Sequence, residues 1–281
     1  MMNILYCGDA HMQKGLFLSV LSLVKHCSEP LTIYVLTAKI TTAEKEYEPL
    51  ADCDIERLDR YVKGKNENSQ VLKFDITDLV ANNMLTANWK TSFTPNCMLR
   101  LYADQVASLP DKLLYLDTDI ICYNHFSDFY QQDLTDYDVC GVLDHYGKWF
   151  FHRQLQTFDY LNSGVLLMNL RRIRETDLFG RCRKLCKERW MFMPDQSAIN
   201  RLSKAKKIAP SRFNEQHALK EETVFLHFTT RFKFFPWFQI VNVKPWQIER
   251  VHDELQLFDY DDLFLTYQEI TNESLYEGET L

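Results

Sequence analysis

Two carboxylates, Asp117 and Asp119, stand on either side of Thr118. They follow the apolar run Lys112-Leu113-Leu114-Tyr115-Leu116 and precede Ile120-Ile121. Side chains at i and i+2 of a strand share a face, so the two acids are expected to converge, with Thr118 turned away. Such a pair at a strand end can hold one hard divalent cation and leave positions for water and phosphate oxygens. The same spacing recurs at Asp52/Asp54, Asp136/Asp138 and Asp259/Asp261. Only the pair at 117 sits behind a strong strand-like run, so context rather than spacing carries the expectation. The alternative is a pair of strand-terminal acids that cap a turn.

A third ligand is available at His227, in the strand-like segment Val224-Phe225-Leu226-His227-Phe228. A lone histidine among apolar residues is more often a packed core side chain. An Asp/Asp/His set, however, suits Mn²⁺ better than Mg²⁺, which accepts imidazole less readily. Arg231, Lys233 and Pro236-Trp237 come next. A cation such as Lys233 can reach a diphosphate held by that metal. Asp195-Gln196, after Met193-Pro194, opens a helix. Asp195 at the N-cap is a sufficient reason for its presence, and contact with a polar substrate is the functional reading. The turn Asn162-Ser163-Gly164 is open in the same way: its glycine permits either close approach to a ligand or a bulge.

The elements that must position these groups alternate. Asn3–Cys7 reads as a strand. His11 to about Cys27 has Leu16, Phe17, Val20, Leu21, Leu23 and Val24 at helical spacing, and Leu31–Leu36 is a second strand. This strand-helix-strand unit predicts a right-handed crossover and a parallel pair. Thr41/Thr42 are expected to cap a helix, Asp54–Leu58 to form a strand, and residues 60–70 to be a polar loop. Further on, 98–108 reads as helical, and Lys112–Leu116, Asp138–Leu143, Asn162–Leu170 and 223–228 as strands. Helices are expected near 175–189, 195–203 and 247–258. The alternation predicts an α/β fold with helices on both faces of a sheet. Ligands bind such sheets at the carboxyl ends of the strands, where Asp9, Asp117 and Asp119 fall.

The 281 residues are 46% hydrophobic and 25% charged, an ordinary globular composition. No run of 18 apolar residues suggests a membrane span, and the start Met1-Met2-Asn3-Ile4-Leu5-Tyr6-Cys7 lacks the character of a signal peptide. The eight cysteines are scattered without a Cys-x-x-Cys pair, which fits reduced thiols and a cytoplasmic location. Net charge is −7 but uneven. Residues 171–190 carry eight bases against three acids, while 249–281 carry ten acids against Arg250. The basic stretch reads as a solvated helix face, or as a contact for anionic lipid or a phosphorylated acceptor. The acidic balance and the lack of a basic-aromatic module argue against nucleic acid.

Five segments in this order resemble the family 8 glycosyltransferases, a retaining group that includes bacterial lipopolysaccharide galactosyl- and glucosyltransferases. They are Ile4-Leu5-Tyr6-Cys7-Gly8-Asp9; Met98-Leu99-Arg100-Leu101 before Leu113–Asp119; Leu161–Leu170; Pro194-Asp195-Gln196; and His227-Phe228-Thr229 with Lys233 and Pro236-Trp237. The resemblance implies a GT-A nucleotide-sugar-binding fold, a Rossmann-like mixed sheet flanked by helices, over residues 1–240. Residues 241–281 would then be an acidic, largely helical extension. It implies retaining transfer of a hexose from UDP-glucose or UDP-galactose to a glycan or glycolipid, in lipopolysaccharide biosynthesis. Asp9 would contact the uracil or ribose. Asp117, Asp119 and His227 would bind Mn²⁺, with Mg²⁺ as the alternative. Arg100, Asp117, Asn162, Asp195 and Gln196 would surround the sugar, with Asp195 and Gln196 catalytic. Lys233 would meet the diphosphate, and Asp144 matches a further site acid. Where the family often has Gly-Pro after its metal histidine, this chain has Thr229-Thr230-Arg231 and the insertion-like Phe232-Lys233-Phe234-Phe235. Family members that act on membrane lipids can end in a basic, aromatic tail. This acidic tail implies no stable membrane anchor and at most transient contact with the inner face.

Two rivals compete. A haloacid-dehalogenase-type phosphatase also places Asp-x-Asp after an apolar strand, but its motif usually continues Gly-Thr, where this chain has Ile120-Ile121. A catalytically weak nucleotide-sugar-binding protein would keep the site and lose turnover.

Overall fold

The structure is a computed structural model. It describes residues 1–89, 94–144, 159–233 and 239–272, with the backbone alone described at 231–233 and 239–241. The strands are β1 (Met2–Gly8), β2 (Leu31–Thr37), β3 (Ile40–Thr41), β4 (Glu46–Tyr47), β5 (Gln70–Asp75), β6 (Lys112–Leu116), β7 (Ile120–Cys122), β8 (Val139–Leu143), β9 (Leu161–Asn169), β10 (Lys206–Ile208), β11 (Phe225–His227), β12 (Arg231–Lys233) and β13 (Gln239–Val241). Seven of them form one sheet in the order β10-β8-β9-β6-β1-β2-β5. All its neighbours pair in parallel except β9, which runs antiparallel to both β6 and β8. The sheet is therefore mixed, and the fold is α/β as expected.

Parallel strands covered on both faces read as continuous apolar runs rather than alternating ones, and every residue of β2 is buried. Alternation survives only in which core each side chain enters. Ile4, Tyr6, Leu114 and Leu116 pack with Leu16, Phe17, Val20 and Leu21 of the helix Gln13–His26. Leu5, Leu113 and Tyr115 point the other way, into Met98, Leu101, Phe179 and Ile199. Those residues come from the 3₁₀ segment Pro95–Gln105 and the helices Leu178–Glu188 and Pro194–Leu202. Each such fully buried side chain contributes about 1.5–3 kcal/mol. The stretch beyond residue 240 joins the first of these cores. Tyr267, on the helix Asp261–Thr271, meets Phe17 edge to face at 5.8 Å and donates to Gln13 Oε1 at 2.8 Å. No helix among the described residues is long and apolar enough to cross a membrane.

Three local expectations are corrected. Asp54–Leu58 is not a strand but part of the helix Asp52–Lys65. Its buried Ile55, Leu58 and Val62 follow helical spacing, and its first-turn acids favour the helix N-terminus. Residues 60–70 are therefore mostly the end of that helix, followed by a turn and the start of the edge strand β5. Thr42 caps no helix. Its hydroxyl accepts from Lys45 N at 3.0 Å and closes the β3–β4 turn.

Candidate functional site

β6 ends at Leu116. Asp117 N still donates across the sheet to Gly164 O at 2.8 Å, and then the chain turns, with Ile120 N donating to Asp117 O at 3.2 Å. Asp117 and Asp119 therefore lie in a tight turn, not on one face of a strand. Their convergence comes from that turn and from the pairing of the next strand. β7 pairs antiparallel with β11 in a register that sets His227 opposite Ile120, and Phe228 N donates to Asp119 O at 3.0 Å. His227 Nε2 consequently lies 3.3 Å from Asp119 Oδ1 and 4.0 Å from Asp117 Oδ2. One ligand atom from each of the three residues lies within 4.8 Å of the others.

Two glycines make room for this arrangement. A Cβ on Gly164 would lie 2.2 Å from His227 Cε1, so β9 can pass beneath the ring only as glycine. A Cβ on Gly15 would lie 2.7 Å from Thr118 O, so the first long helix abuts the acid turn through a missing side chain. Both positions are close approaches.

Arg100 organises the adjoining pocket. It is 3% exposed, and its guanidinium stacks 3.9 Å from the Tyr115 ring centroid. It donates to Asp117 Oδ1 at 2.8 Å, to Ser163 O at 2.5 Å and to Cys97 O at 3.1 Å, and its Nε is 3.1 Å from Asp195 Oδ2. Tyr115 donates its hydroxyl to the same Asp117 Oδ1 at 2.6 Å. With Oδ1 engaged twice, Oδ2 of Asp117 is the oxygen that faces His227. Asp195 is not the N-cap of its helix. Met193 holds that place, Pro194 starts the helix, and the Asp195 carboxylate turns to Arg100. Burial pushes the Asp195 carboxyl up, Arg100 opposes the shift and Asp117 reinforces it, leaving it above the ordinary range. Gln196 accepts from Ser163 N at 2.9 Å and donates to Asp144 Oδ2 at 3.0 Å, and Asn162 donates to the same oxygen at 2.9 Å. Arg100, Asp144, Asn162, Asp195 and Gln196 are thus brought together beside the acid turn.

Asp9 follows β1 directly, yet both its oxygens are engaged. One accepts from His11 N at 2.8 Å as the cap of a short 3₁₀ turn, and the other from Asn96 Nδ2 at 2.6 Å. Asn96 itself is buried, and its Oδ1 has no partner among the described residues.

The sequence reading missed Lys244. Its Nζ lies 2.6 Å from Asp119 Oδ2 and 3.0 Å from Phe228 O. Burial would push the Asp119 carboxyl up, but Lys244 and His227 outweigh it and hold that carboxyl well below the usual range. The signal was present as the contiguous triplet Lys244-Pro245-Trp246. The hairpin β12–β13, inserted after His227, carries it downstream of the looser Lys233 and Pro236-Trp237. Lys233 is placed by its backbone on β12, opposite Gln239, and its side chain lies outside the described residues, as does Pro236-Trp237.

Two cavities flank the sheet. One of about 300 Å³ shares Asp144 with the site, and Asn214, Glu215, Gln216 and His217 also line it. A larger one, about 520 Å³, lies at the far end of β6 against Asp111, Lys112, Arg171 and Arg172.

A mixed seven-stranded sheet with acids, imidazole and a lysine gathered beyond the carboxyl end of its central strand is the architecture of GT-A nucleotide-sugar enzymes. Residues 3–248 match the sequence profile of "Glycosyl transferase family 8", and the chain belongs to that family. The fold agrees. The galactosyltransferase LgtC, solved with donor and acceptor sugar analogues, superposes with a TM-score of 0.67 at 16% identity, covering 99% of this chain and 98% of that one. The glycosyltransferase GlyE of Streptococcus pneumoniae TIGR4 superposes with a TM-score of 0.62 at 18% identity, over 100% of this chain and 67% of that one. In sequence, glycosyltransferase GlyA of S. pneumoniae is 32% identical over 109 residues, 37% of this chain and 14% of that protein. A Haemophilus influenzae relative is 24% identical over 221 residues, 76% of this chain and 63% of its own length. The matches thus span less than two thirds of these curated relatives.

Proposed function

We propose that the chain transfers a hexose from UDP-glucose or UDP-galactose to a saccharide acceptor, a glycan or glycolipid, with retention and in a Mn²⁺-dependent manner. The observation that carries this reading is the Asp117/Asp119/His227 cluster, with ligand atoms within 4.8 Å of one another, set against the Arg100-organised pocket. Two carboxylates and an imidazole fit Mn²⁺, with Mg²⁺ second. When bound, such an ion offsets charge on a diphosphate. A phosphatase of the rival type needs Asp117 as nucleophile, and its Oδ1 accepts from both Tyr115 and Arg100, which argues against that role.

Departure of UDP places negative charge on the β-phosphate while the sugar gains oxocarbenium character. Lys244, beside Asp119, is the cation that meets this charge, the role that the family resemblance alone would give to Lys233. Asp9 and Asn96 take the nucleoside end. Arg100, Asp117, Asn162 and Asp195 hold the sugar hydroxyls. Gln196 is a poor nucleophile because its amide is weakly basic, and both ends of that amide are already bonded. The acceptor hydroxyl therefore enters on the face that UDP leaves and passes its proton to the departing diphosphate oxygen, and Asp195 stabilises the positive charge that develops. The 300 Å³ cavity shares Asp144 with the sugar pocket. The eight free thiols support a cytoplasmic setting, with membrane contact at most transient.

A thermal-shift panel of UDP-sugars with and without Mn²⁺ tests the donor. Stabilisation by one hexose donor in Mn²⁺ is expected; indifference to every UDP-sugar sinks the proposal. Slow donor hydrolysis in Mn²⁺ separates an enzyme from a binding protein, which shows none. Capture of a covalent sugar on Asp195 or Gln196 would overturn same-face transfer.

A further inference from the structure

Asn214 lies outside every role assigned above, yet it is 1% exposed and sits between the two halves of the site. It follows the 3₁₀ turn Ser211–Phe213. Backbone pairing seats it: Glu215 N donates to Phe225 O and His227 N to Glu215 O, both at short range beside β11. Its side chain then reaches two partners. One end lies 3.1 Å from His227 Nδ1, and the other lies 2.9 Å from Asn162 Oδ1.

The direction of every proton in this chain of bonds is determined. Gly164 N–H can only donate, so the Asn162 atom 2.9 Å away is the amide oxygen. That oxygen receives a second bond, so the Asn214 atom facing it is the amide nitrogen. The remaining Asn214 atom, the one that faces His227, is oxygen. Nδ1 of His227 must therefore carry the proton, and in the neutral ring the lone pair lies on Nε2. Nε2 is the nitrogen that faces Asp117 and Asp119. At the far end, Asn162 Nδ2 donates to Asp144 Oδ2, which also accepts from Gln196 Nε2. The carboxylate terminates the chain, as an acceptor-only group must.

We infer that Asn214 is a positioning residue that fixes His227 with its Nε2 lone pair towards the two aspartates and ties that imidazole, through Asn162, to Asp144 and Gln196. The inference rests on the metal-site reading of Asp117, Asp119 and His227. Its consequence is a physical link between metal ligation and the shape of the sugar pocket. Histidine ligands held by an outer hydrogen bond bind metal more tightly because ring orientation and tautomer are set in advance. Here the same amide also orients the pocket.

The two ends of Asn214 can be tested apart. Asn214→Ala removes both bonds. Asn214→Asp keeps an oxygen to accept from Nδ1–H but loses the donor to Asn162. Mn²⁺ affinity is read on the full chain by electron paramagnetic resonance at one fixed pH, and affinity for UDP against UDP-glucose and UDP-galactose by calorimetry. Asn214→Ala should weaken Mn²⁺ binding by about 10- to 100-fold. Asn214→Asp should hold Mn²⁺ within about threefold of the parent, yet lower the preference for UDP-sugar over UDP by about 5- to 30-fold. Equal loss of both quantities in both variants, with lowered melting temperature, would mean a merely structural role and overturn the inference. So would unchanged Mn²⁺ affinity in Asn214→Ala. If Asn214→Ala does not fold, the Asn214→Asp contrast decides alone: retained metal with lost sugar preference supports the inference, and both retained or both lost overturns it. A parent protein that binds no Mn²⁺ at all defeats the metal-site reading itself, and the inference with it.

Discussion

The two ends of β6 carry similar numbers of charges and use them differently. At its start, Asp111 is matched by Arg171 at 2.6 Å and Arg174 at 3.5 Å, and nearby Asp138 by Arg172 at 2.8 Å. Asp111, Arg171 and Arg172 of these pairs line the larger cavity. Beyond its end, Asp117, Asp119 and Asp195 crowd around Arg100, Lys244 and the His227 ring, with Asp144 held by Asn162 and Gln196 nearby. Among the described residues acids outnumber fixed cations there, and Asp195 is held above its ordinary pKa, largely by burial. A charge imbalance maintained against desolvation marks a place prepared for a cationic ligand or for developing positive charge, whereas volume alone does not. The larger cavity belongs to the balanced end and the candidate site to the other.

Substitutions can break or sharpen this contrast. Lys244→Ala should weaken UDP binding by about 10- to 100-fold, the loss of a hydrogen bond between charged groups. Lys233→Ala should change it by less than about threefold, and the reverse ranking would restore Lys233 to the site. Calorimetry with UDP decides between them. Gly164→Ala should push the imbalanced end apart, because the new methyl meets the His227 ring. A loss of about 1–3 kcal/mol in denaturant unfolding is expected, with weakened Mn²⁺ affinity. Retained metal affinity would show that the ring can move without consequence.

Asp195→Asn tests the cost of burying that carboxylate. A carboxyl whose folded pKa is raised costs stability above that pKa, in its ionised form, and ceases to do so as the pH falls and it protonates. The amide should therefore raise the melting temperature at pH 7 by about 2–4 °C while transfer activity collapses. The gain should vanish in acid, and an amide that destabilises at pH 7 would refute it. Asp119 has the opposite sign. Its carboxyl is depressed, so the stability it contributes is present above the ordinary carboxylate range and lost as the pH falls through its folded pKa. The smallest effect belongs to the balanced end. Arg171→Ala, an exposed pair with Asp111, should leave UDP affinity unchanged and move the melting temperature by less than about 1 °C.

Much of this was legible in the sequence because it is local. The strand-helix-strand opening, the buried runs of β6 and β9 and the helix before Cys27 each announce themselves within a dozen residues. The helix at Asp52–Lys65 was misread because Asp54–Leu58 is too short a window to separate a strand from a helix, and Val62, which settles the period, lies beyond it. The site was legible in residue type and not in geometry. Asp117, Asp119 and His227 were readable as donors, but their meeting depends on the β7–β11 register, a pairing across more than a hundred residues. Lys244 was displaced from view by the inserted β12–β13 hairpin. Asn214 carried no local signal, since one asparagine after a phenylalanine acquires meaning only from the ring and the amide it touches.

The central claim is that Asp117, Asp119 and His227 together hold a divalent cation that in turn holds a nucleotide diphosphate. Calorimetric titration of UDP into the parent chain and into Asp119→Ala, each with and without Mn²⁺, tests it most directly. The account predicts that Mn²⁺ tightens UDP binding to the parent by about 100-fold or more and leaves Asp119→Ala unaffected. Equal UDP affinity with and without Mn²⁺ in the parent, or an undiminished Mn²⁺ effect in Asp119→Ala, would contradict it.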